Sequence, residues 1–132
     1  MKDVLLVFAG GGIGSVCRLM LMRGLTTRCN WQAHNATLLV NIVACLVLGF
    51  FLELVFTGRG AGSNHALGLQ LRLLIATGFC GGLSTFSTFS YETYALIRSH
   101  EIASAAVNVL LSLVLCVLAV AFSAWLTNLL RG

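Results

Sequence analysis

The stretch GFCGGLSTFSTFSYE, from Gly78 to Glu92, gathers residues that can hold ions within an otherwise apolar chain. Each of its glycines has a helix propensity about 1 kcal/mol poorer than that of alanine, so a cluster of them inside a long apolar run favours a broken helix. A break leaves main-chain carbonyl oxygens without helical partners. Such oxygens are suitable ligands for a hard cation such as Na⁺, and no carboxylate is needed.

The second half of the stretch offers hydrogen-bond donors and two aromatic rings. Phe86 and Phe89 are three residues apart, and hydroxyl side chains surround them at Ser84, Thr85, Ser87, Thr88 and Ser90. The edge of an aromatic ring is partially positive, so rings turned edge-on can meet an anion without binding it as tightly as a lysine would. The alternative is that the hydroxyls bond to the preceding helical turn and the rings face lipid.

Polar residues at helical spacing occur in two other apolar runs. Thr37 precedes Asn41 by one turn, and Asn108 precedes Ser112 by one turn, so each pair lies on one helix face. A buried amide or hydroxyl either bonds a neighbouring helix or donates to an anion on its path. The residues alone leave both interpretations open.

Other candidate sites in the sequence have weaker support. Arg18 lies near the end of an apolar run, where structural anchoring and anion attraction are equally good interpretations. The segment GGGIGS lacks the Gly-Lys-Ser/Thr ending of a phosphate loop, whereas its Gly10 and Gly14 have the spacing of a close helix contact. The five cysteines are scattered and odd in number, and no two histidines have metal-ligand spacing, so neither disulfides nor a zinc site is expected.

Helices that cross a bilayer must position these residues. The chain has 132 residues, of which 58% are hydrophobic and 9% charged, and this composition excludes an ordinary soluble domain. Four apolar runs predict one domain, residues 1–132, with spans at about 4–22, 36–56, 68–97 and 102–128 and a break in the third near 80–84. The predicted fold class is therefore an all-α integral membrane protein with four transmembrane helices per protomer.

The basic residues are balanced between the two sides of the membrane that four spans define. One side carries Lys2, Arg59, Arg72 and Arg131, and the other carries Arg18, Arg23, Arg28 and Arg98. This balance predicts insertion in both orientations and hence an antiparallel homodimer, unless the amino terminus or one further charge tips it. The net charge of +4 forms no basic patch, so nucleic-acid binding is not expected.

The broken-helix stretch, together with GGGIGSVCR before it and TLLVN between them, resembles the Fluc (CrcB) family of bacterial fluoride channels, and the likeness covers all four spans. The resemblance implies a multi-pass protein of the bacterial inner membrane, an antiparallel dual-topology homodimer with two fluoride pores. It implies passive export of fluoride, no enzymatic activity and no organic cofactor, with a structural Na⁺ at the dimer interface. The expected partners are fluoride, a second copy of the chain and the lipid bilayer.

The resemblance also assigns roles to individual residues. The positions that match the family's fluoride path are Asn41, Phe86, Ser87, Thr88, Phe89 and Ser112. The sodium ligands would be the main-chain carbonyls of Gly81 and Ser84 from both subunits. Vestibule or anchoring roles fall to Arg18, Thr37, Glu92 and Asn108. The chain departs from the family pattern at Cys45 and Leu111, where glycine is common, and this puts the helix approach or the pore width in doubt.

Two other functions compete with the channel. A small dual-topology multidrug exporter coupled to protons would need a membrane carboxylate, and the first span has none after Asp3. A membrane assembly module without transport activity would use the polar residues only to hold helices together. Ion flux in liposomes separates these alternatives.

Overall fold

A computed structural model of the chain describes residues 1–56 and 65–131, and the backbone of these residues is almost entirely helical. In chain order the elements are α1 (Lys2–Arg23), a first π-helical stretch (Gly24–Arg28), α2 (Ala33–Phe56), α3 (His65–Leu71), a second π-helical stretch (Arg72–Cys80), α4 (Gly81–Leu83), α5 (Phe86–Arg98) and α6 (Ile102–Leu129). The predicted second loop around Arg59 lies outside the described residues.

The helices combine into four units that are long and apolar enough to cross a membrane: Lys2–Arg28, Ala33–Val55, Ala66–Arg98 and Ile102–Leu129. They correspond to the four predicted spans and differ from them by a few residues at the ends. The all-α membrane class is thus confirmed. The absence of proline from the sequence allows each run to stay helical, because proline removes a backbone donor inside a helix.

The helix of the third unit is interrupted between α4 and α5. Ser84 (φ −75°, ψ 155°) and Thr85 (φ −148°, ψ 107°) are extended. The Ser84 N–H still donates to the Cys80 carbonyl at 2.9 Å, whereas the Thr88 N–H donates to Thr85 Oγ1 at 3.2 Å, so Thr85 is the N-cap of α5. The sequence predicts the break near residues 80–84, but the backbone is helical as far as Leu83, and only Ser84 and Thr85 are extended.

Glycines on α1 and in the third unit before the break allow these two helices to pack closely. A Cβ on Gly10 would clash with the Leu74 carbonyl oxygen, and one on Gly14 with the Phe79 carbonyl oxygen. A Cβ on Gly82 would in turn clash with the Gly11 carbonyl oxygen. Because these positions lack side chains, two helix backbones touch directly, and the contact stabilises helical geometry where propensity alone predicts a break.

The second and fourth units, α2 and α6, form the other main contact of the fold. They run in the same direction, since each follows an odd-numbered span. Gly49 fixes their register, because a Cβ there would lie 2.6 Å from the Val120 carbonyl oxygen. Counting back one turn at a time on both helices brings Cys45 level with Cys116 and Asn41 level with Ser112.

Candidate anion path

Four polar side chains follow the α2–α6 contact at successive turns, and we call Thr37, Asn41, Asn108 and Ser112 the polar ladder. The register of the two helices places Thr37 level with Asn108, and Asn41 level with Ser112 one turn further on. Three of the four are buried, and Asn41 is half-buried. The two sequence-predicted pairs therefore meet as facing rows.

The outer level of the ladder is tied to α5. Thr37 Oγ1 donates to Glu92 Oε1 at 2.9 Å, and Asn108 Nδ2 donates to Thr93 Oγ1 at 2.9 Å. Since Glu92 and Thr93 are adjacent in sequence, one turn of α5 bridges both α2 and α6. The second carboxylate oxygen, Oε2 of Glu92, is buried and has no hydrogen-bond partner among the described residues.

The inner level connects α2 to the break in the third unit. Asn41 Oδ1 accepts a hydrogen bond from the Thr85 backbone N–H at 2.9 Å. Because a backbone N–H can only donate, the Asn41 oxygen must face Thr85, and the amide N–H donors point elsewhere. Across the ladder, Ser112 Oγ is buried without a hydrogen-bond partner among the described residues. This level combines an amide donor and an unpaired hydroxyl.

A cluster of hydroxyl groups begins α5 beside Asn41. Thr85 Oγ1 donates to Thr88 Oγ1 at 2.9 Å and lies 3.3 Å from Ser87 Oγ. The predicted hydroxyl positions Ser87 and Thr88 are therefore brought together around the N-cap. Ser90 behaves differently: its hydroxyl donates to the Phe86 carbonyl at 2.8 Å, which is the back-bonding alternative.

The two phenylalanines of the motif form a tilted pair. Their ring centroids are 5.7 Å apart, with 42° between the ring planes. Phe89 is half-buried, whereas Phe86 is 79% exposed within one protomer. Phe86 therefore projects away from the other helices of its protomer.

The proposed sodium carbonyls lie at the same break. In a continuous helix the Thr85 N–H would bond the Gly81 carbonyl, but here it donates to Asn41. The Gly81 carbonyl is thereby released from its helical partner. Gly81 is exposed, and a Cβ there would meet nothing within 4 Å in the protomer. The Ser84 carbonyl likewise loses its helical partner, because the Thr88 N–H donates to Thr85 Oγ1. Two main-chain oxygens of this kind would suit a hard, oxygen-preferring cation.

Arg18 is not joined to the ladder by any bond in the described part of the chain. It lies half-buried on α1.

The sequence did not predict two residues that the structure places beside the ladder. Thr93 accepts a hydrogen bond from Asn108 and so positions it. Its spacing of four residues from Phe89 places the two on one face of α5, and this spacing could have predicted its role. His34 lines a cavity of about 300 Å³ with Asn108 and Ser104, which opens at the outer level.

Comparisons with known proteins give consistent results. Residues 5–124 match the family model described as CrcB-like protein, Camphor Resistance (CrcB). A Pyrococcus furiosus protein named fluoride-specific ion channel FluC is 43% identical over 83% of this chain and 82% of the relative. Proteins of the same name from Phocaeicola vulgatus and Geobacter sulfurreducens are 36% and 35% identical, over 97% and 88% of this chain and 100% and 89% of the relatives.

Proposed function

The chain belongs to the CrcB-like protein family, and from that membership and its polar ladder we infer that it is a multi-pass membrane protein acting as a fluoride-specific ion channel. The observation that carries the inference is the inner level, where the half-buried amide of Asn41 lies level with the buried Ser112 hydroxyl, and neither the amide N–H donors nor this hydroxyl has a hydrogen-bond partner within residues 1–56 and 65–131. We further propose that it exports cytoplasmic fluoride passively from a bacterial cell. No catalytic reaction is part of this proposal.

The ladder explains how a strongly hydrated anion could pass. A pore must replace water molecules with donors, and it must bind weakly enough for the ion to leave. The N–H donors of Asn41, the hydroxyl of Ser112 and the ring edges of Phe86 and Phe89 are all uncharged. An ion can therefore move between neutral sites of similar strength without being trapped by a full positive charge.

The N-terminal end of α5 supports the same path. Its first backbone N–H groups point towards the Ser84–Thr85 turn and carry the positive end of the helix dipole. Ser87 and Thr88 add hydroxyl groups that can donate to an anion once their own bonds rearrange. The start of α5 thus adds partial positive charge close to Asn41.

Two exposed features of the protomer could be covered by a second copy of the chain. Phe86 is largely exposed, and Gly81 has open space beside it. An antiparallel homodimer related by a two-fold axis in the membrane plane would cover both and would bring two sets of Gly81 and Ser84 carbonyls together. A structural Na⁺ bound by these oxygens would hold the two breaks in place by neutralising their partial negative charge.

The proposed path is tested by fluoride efflux from liposomes that contain purified protein, followed with a fluoride electrode. We expect Asn41→Asp to slow efflux about 10- to 100-fold, because a hydrogen bond to a charged group contributes roughly 1.5–3 kcal/mol. Phe86→Ile removes the partially positive ring edge and should slow efflux about tenfold. The matched control is Phe122→Ile, which removes a half-exposed ring of α6 that pairs with Trp125. Unchanged efflux in both path variants would refute the assignment.

The same liposomes separate the channel from the alternatives. Fluoride efflux through a channel does not need a pH gradient, whereas an exporter would exchange protons for its substrate. Replacing external Na⁺ with a large organic cation tests the structural ion. We expect slower efflux and weaker dimerisation after prolonged removal of sodium.

A further inference from the structure

Two thiols meet between α2 and α6, one helical turn beyond the inner level of the polar ladder. The thiol of Cys116 lies close enough to that of Cys45 for the two groups to interact. The helix register leads to the same pairing independently, because Gly49 against Val120 places the preceding turns level with each other. Both cysteines are half-buried, so the pair is shielded but still reachable.

The number of ligands near Cys45 and Cys116 determines which metal ions the pair can bind. A third thiol, the buried Cys80 of the second π-helical stretch, lies in the neighbourhood of Cys45. Nevertheless, no group of three His, Cys, Asp or Glu side chains within residues 1–56 and 65–131 could hold a metal ion. A tetrahedral zinc site therefore has too few ligands here. Two opposed sulfur ligands suit a soft ion that accepts linear, two-coordinate binding.

We propose that Cys45 and Cys116 form a two-coordinate site for a soft monovalent cation of the silver(I) or copper(I) class. Binding forms two metal–sulfur bonds and breaks one S–H bond, whose proton leaves to solvent, while the other ligand remains a neutral thiol. No electrons are transferred. The loaded site has no net charge, which suits its apolar surroundings between two membrane helices.

Loading the site moves the helices that carry the ladder. Two metal–sulfur bonds in line, each about 2.3 Å as in zinc thiolates, hold the two sulfur atoms farther apart than direct contact between two thiols does. The ion therefore separates α2 from α6 one turn away from Asn41 and Ser112. Through this separation the bound ion slows fluoride passage, a consequence that rests on the proposed function, whereas ion binding itself does not.

Binding is tested on a purified variant that keeps only the pair, Cys17→Ala/Cys29→Ala/Cys80→Ala. Silver nitrate is titrated in chloride-free buffer, and bound silver is measured by equilibrium dialysis and by the ultraviolet absorption of silver thiolates. We expect one silver ion per protomer and one proton released per ion. Adding Cys45→Ala or Cys116→Ala should weaken binding at least about tenfold, roughly 1.4 kcal/mol. Two ions per protomer, or unchanged affinity in both single variants, would overturn the site.

Two controls accompany the silver titration: a check that each variant folds, and a measurement of fluoride efflux with silver. Each variant must match the parent in gel-filtration elution and helical circular dichroism, and a misfolded alanine variant is replaced by serine at the same position. We expect silver to slow fluoride efflux about tenfold in the wild-type protein and in Cys29→Ala, whose thiol is exposed, but not in Cys45→Ala. Unchanged efflux with silver bound would refute the coupling. Absence of efflux without silver would refute the channel and leave the site standing.

Discussion

Ser112 and Glu92 each place a buried oxygen where the described residues offer no hydrogen-bond partner. Such groups lose their hydration without compensation, and an unsatisfied buried group costs about 1–3 kcal/mol. Neighbouring polar groups are well paired: Thr37 and Asn108 both bond to α5. Of these two groups only the Ser112 hydroxyl can donate a hydrogen bond to an anion, and the contrast is consistent with the proposal that it is kept for a transient fluoride ion.

Replacing Ser112 with alanine tests this interpretation. We expect Ser112→Ala to leave thermal stability in detergent unchanged or slightly raised, because the lost hydroxyl has no partner in the described part of the chain, while fluoride efflux falls about tenfold. The matched control is Ser123→Ala on the same helix, whose buried hydroxyl donates to the Val120 carbonyl at 3.0 Å. That variant should lose stability and keep its efflux. The opposite pattern would make Ser112 a purely structural residue.

At the scale of elements, two junctions shape the path. The first is the contact of α1 with the third unit, where glycines bring the backbones together. The second is the start of α5, where the Thr85 hydroxyl caps the helix and its N–H bonds Asn41. Together they hold the extended residues Ser84 and Thr85 against α2. The break is therefore positioned by tertiary contacts on both sides.

The glycine contact predicts a position-dependent cost of adding a methyl group. We expect Gly10→Ala and Gly14→Ala each to destabilise the protein by about 1–3 kcal/mol, because the added Cβ meets a main-chain carbonyl that cannot rotate away. Gly12→Ala is the control, since nothing lies within 4 Å of its Cβ. It should be neutral or slightly stabilising. The measurement is the midpoint of thermal unfolding, and equal effects at all three positions would contradict the contact.

The cap of α5 makes a second prediction at this scale. Thr85→Val keeps the shape of the side chain but removes the oxygen that accepts the Thr88 N–H, so we expect a loss of about 1 kcal/mol in stability. Because the cap also orients the hydroxyl cluster, fluoride efflux should fall as well. Thr85→Ser retains the oxygen and should restore both properties. A serine variant as impaired as valine would mean that the methyl group, not the cap, matters.

At the scale of the whole molecule, one protomer leaves part of the motif at the break exposed. Large apolar side chains are exposed along all four units, as expected where lipid rather than water surrounds them. Beside them, Phe86 and Gly81 expose the motif at the break. Extended backbone at membrane depth must be covered by protein or line a hydrated cavity. Within the protomer Thr85 is already buried, and the proposed homodimer would cover the exposed Gly81 and Phe86 beside it.

A bulky side chain at Gly81 tests the dimer. The protomer has room for Gly81→Leu, so we expect normal helical content but a shift from dimer to monomer in detergent and a loss of fluoride efflux of at least about tenfold. Gly24→Leu is the matched control, because its Cβ also meets nothing within 4 Å. It should leave association and efflux intact. A Gly81→Leu protein that still dimerises and conducts would place the interface elsewhere.

The sequence by itself determined the membrane class, the four spans and the residues of the polar ladder, because hydropathy and helical periodicity are local properties of the chain. Only the tertiary structure decided how these residues meet. Asn41 and Thr85 are far apart in sequence, as are Cys45 and Cys116, and the register that joins them depends on contacts along whole helices. The glycines before the break show the same limit, since contact with α1 outweighs a low helix propensity and moves the break to Ser84 and Thr85.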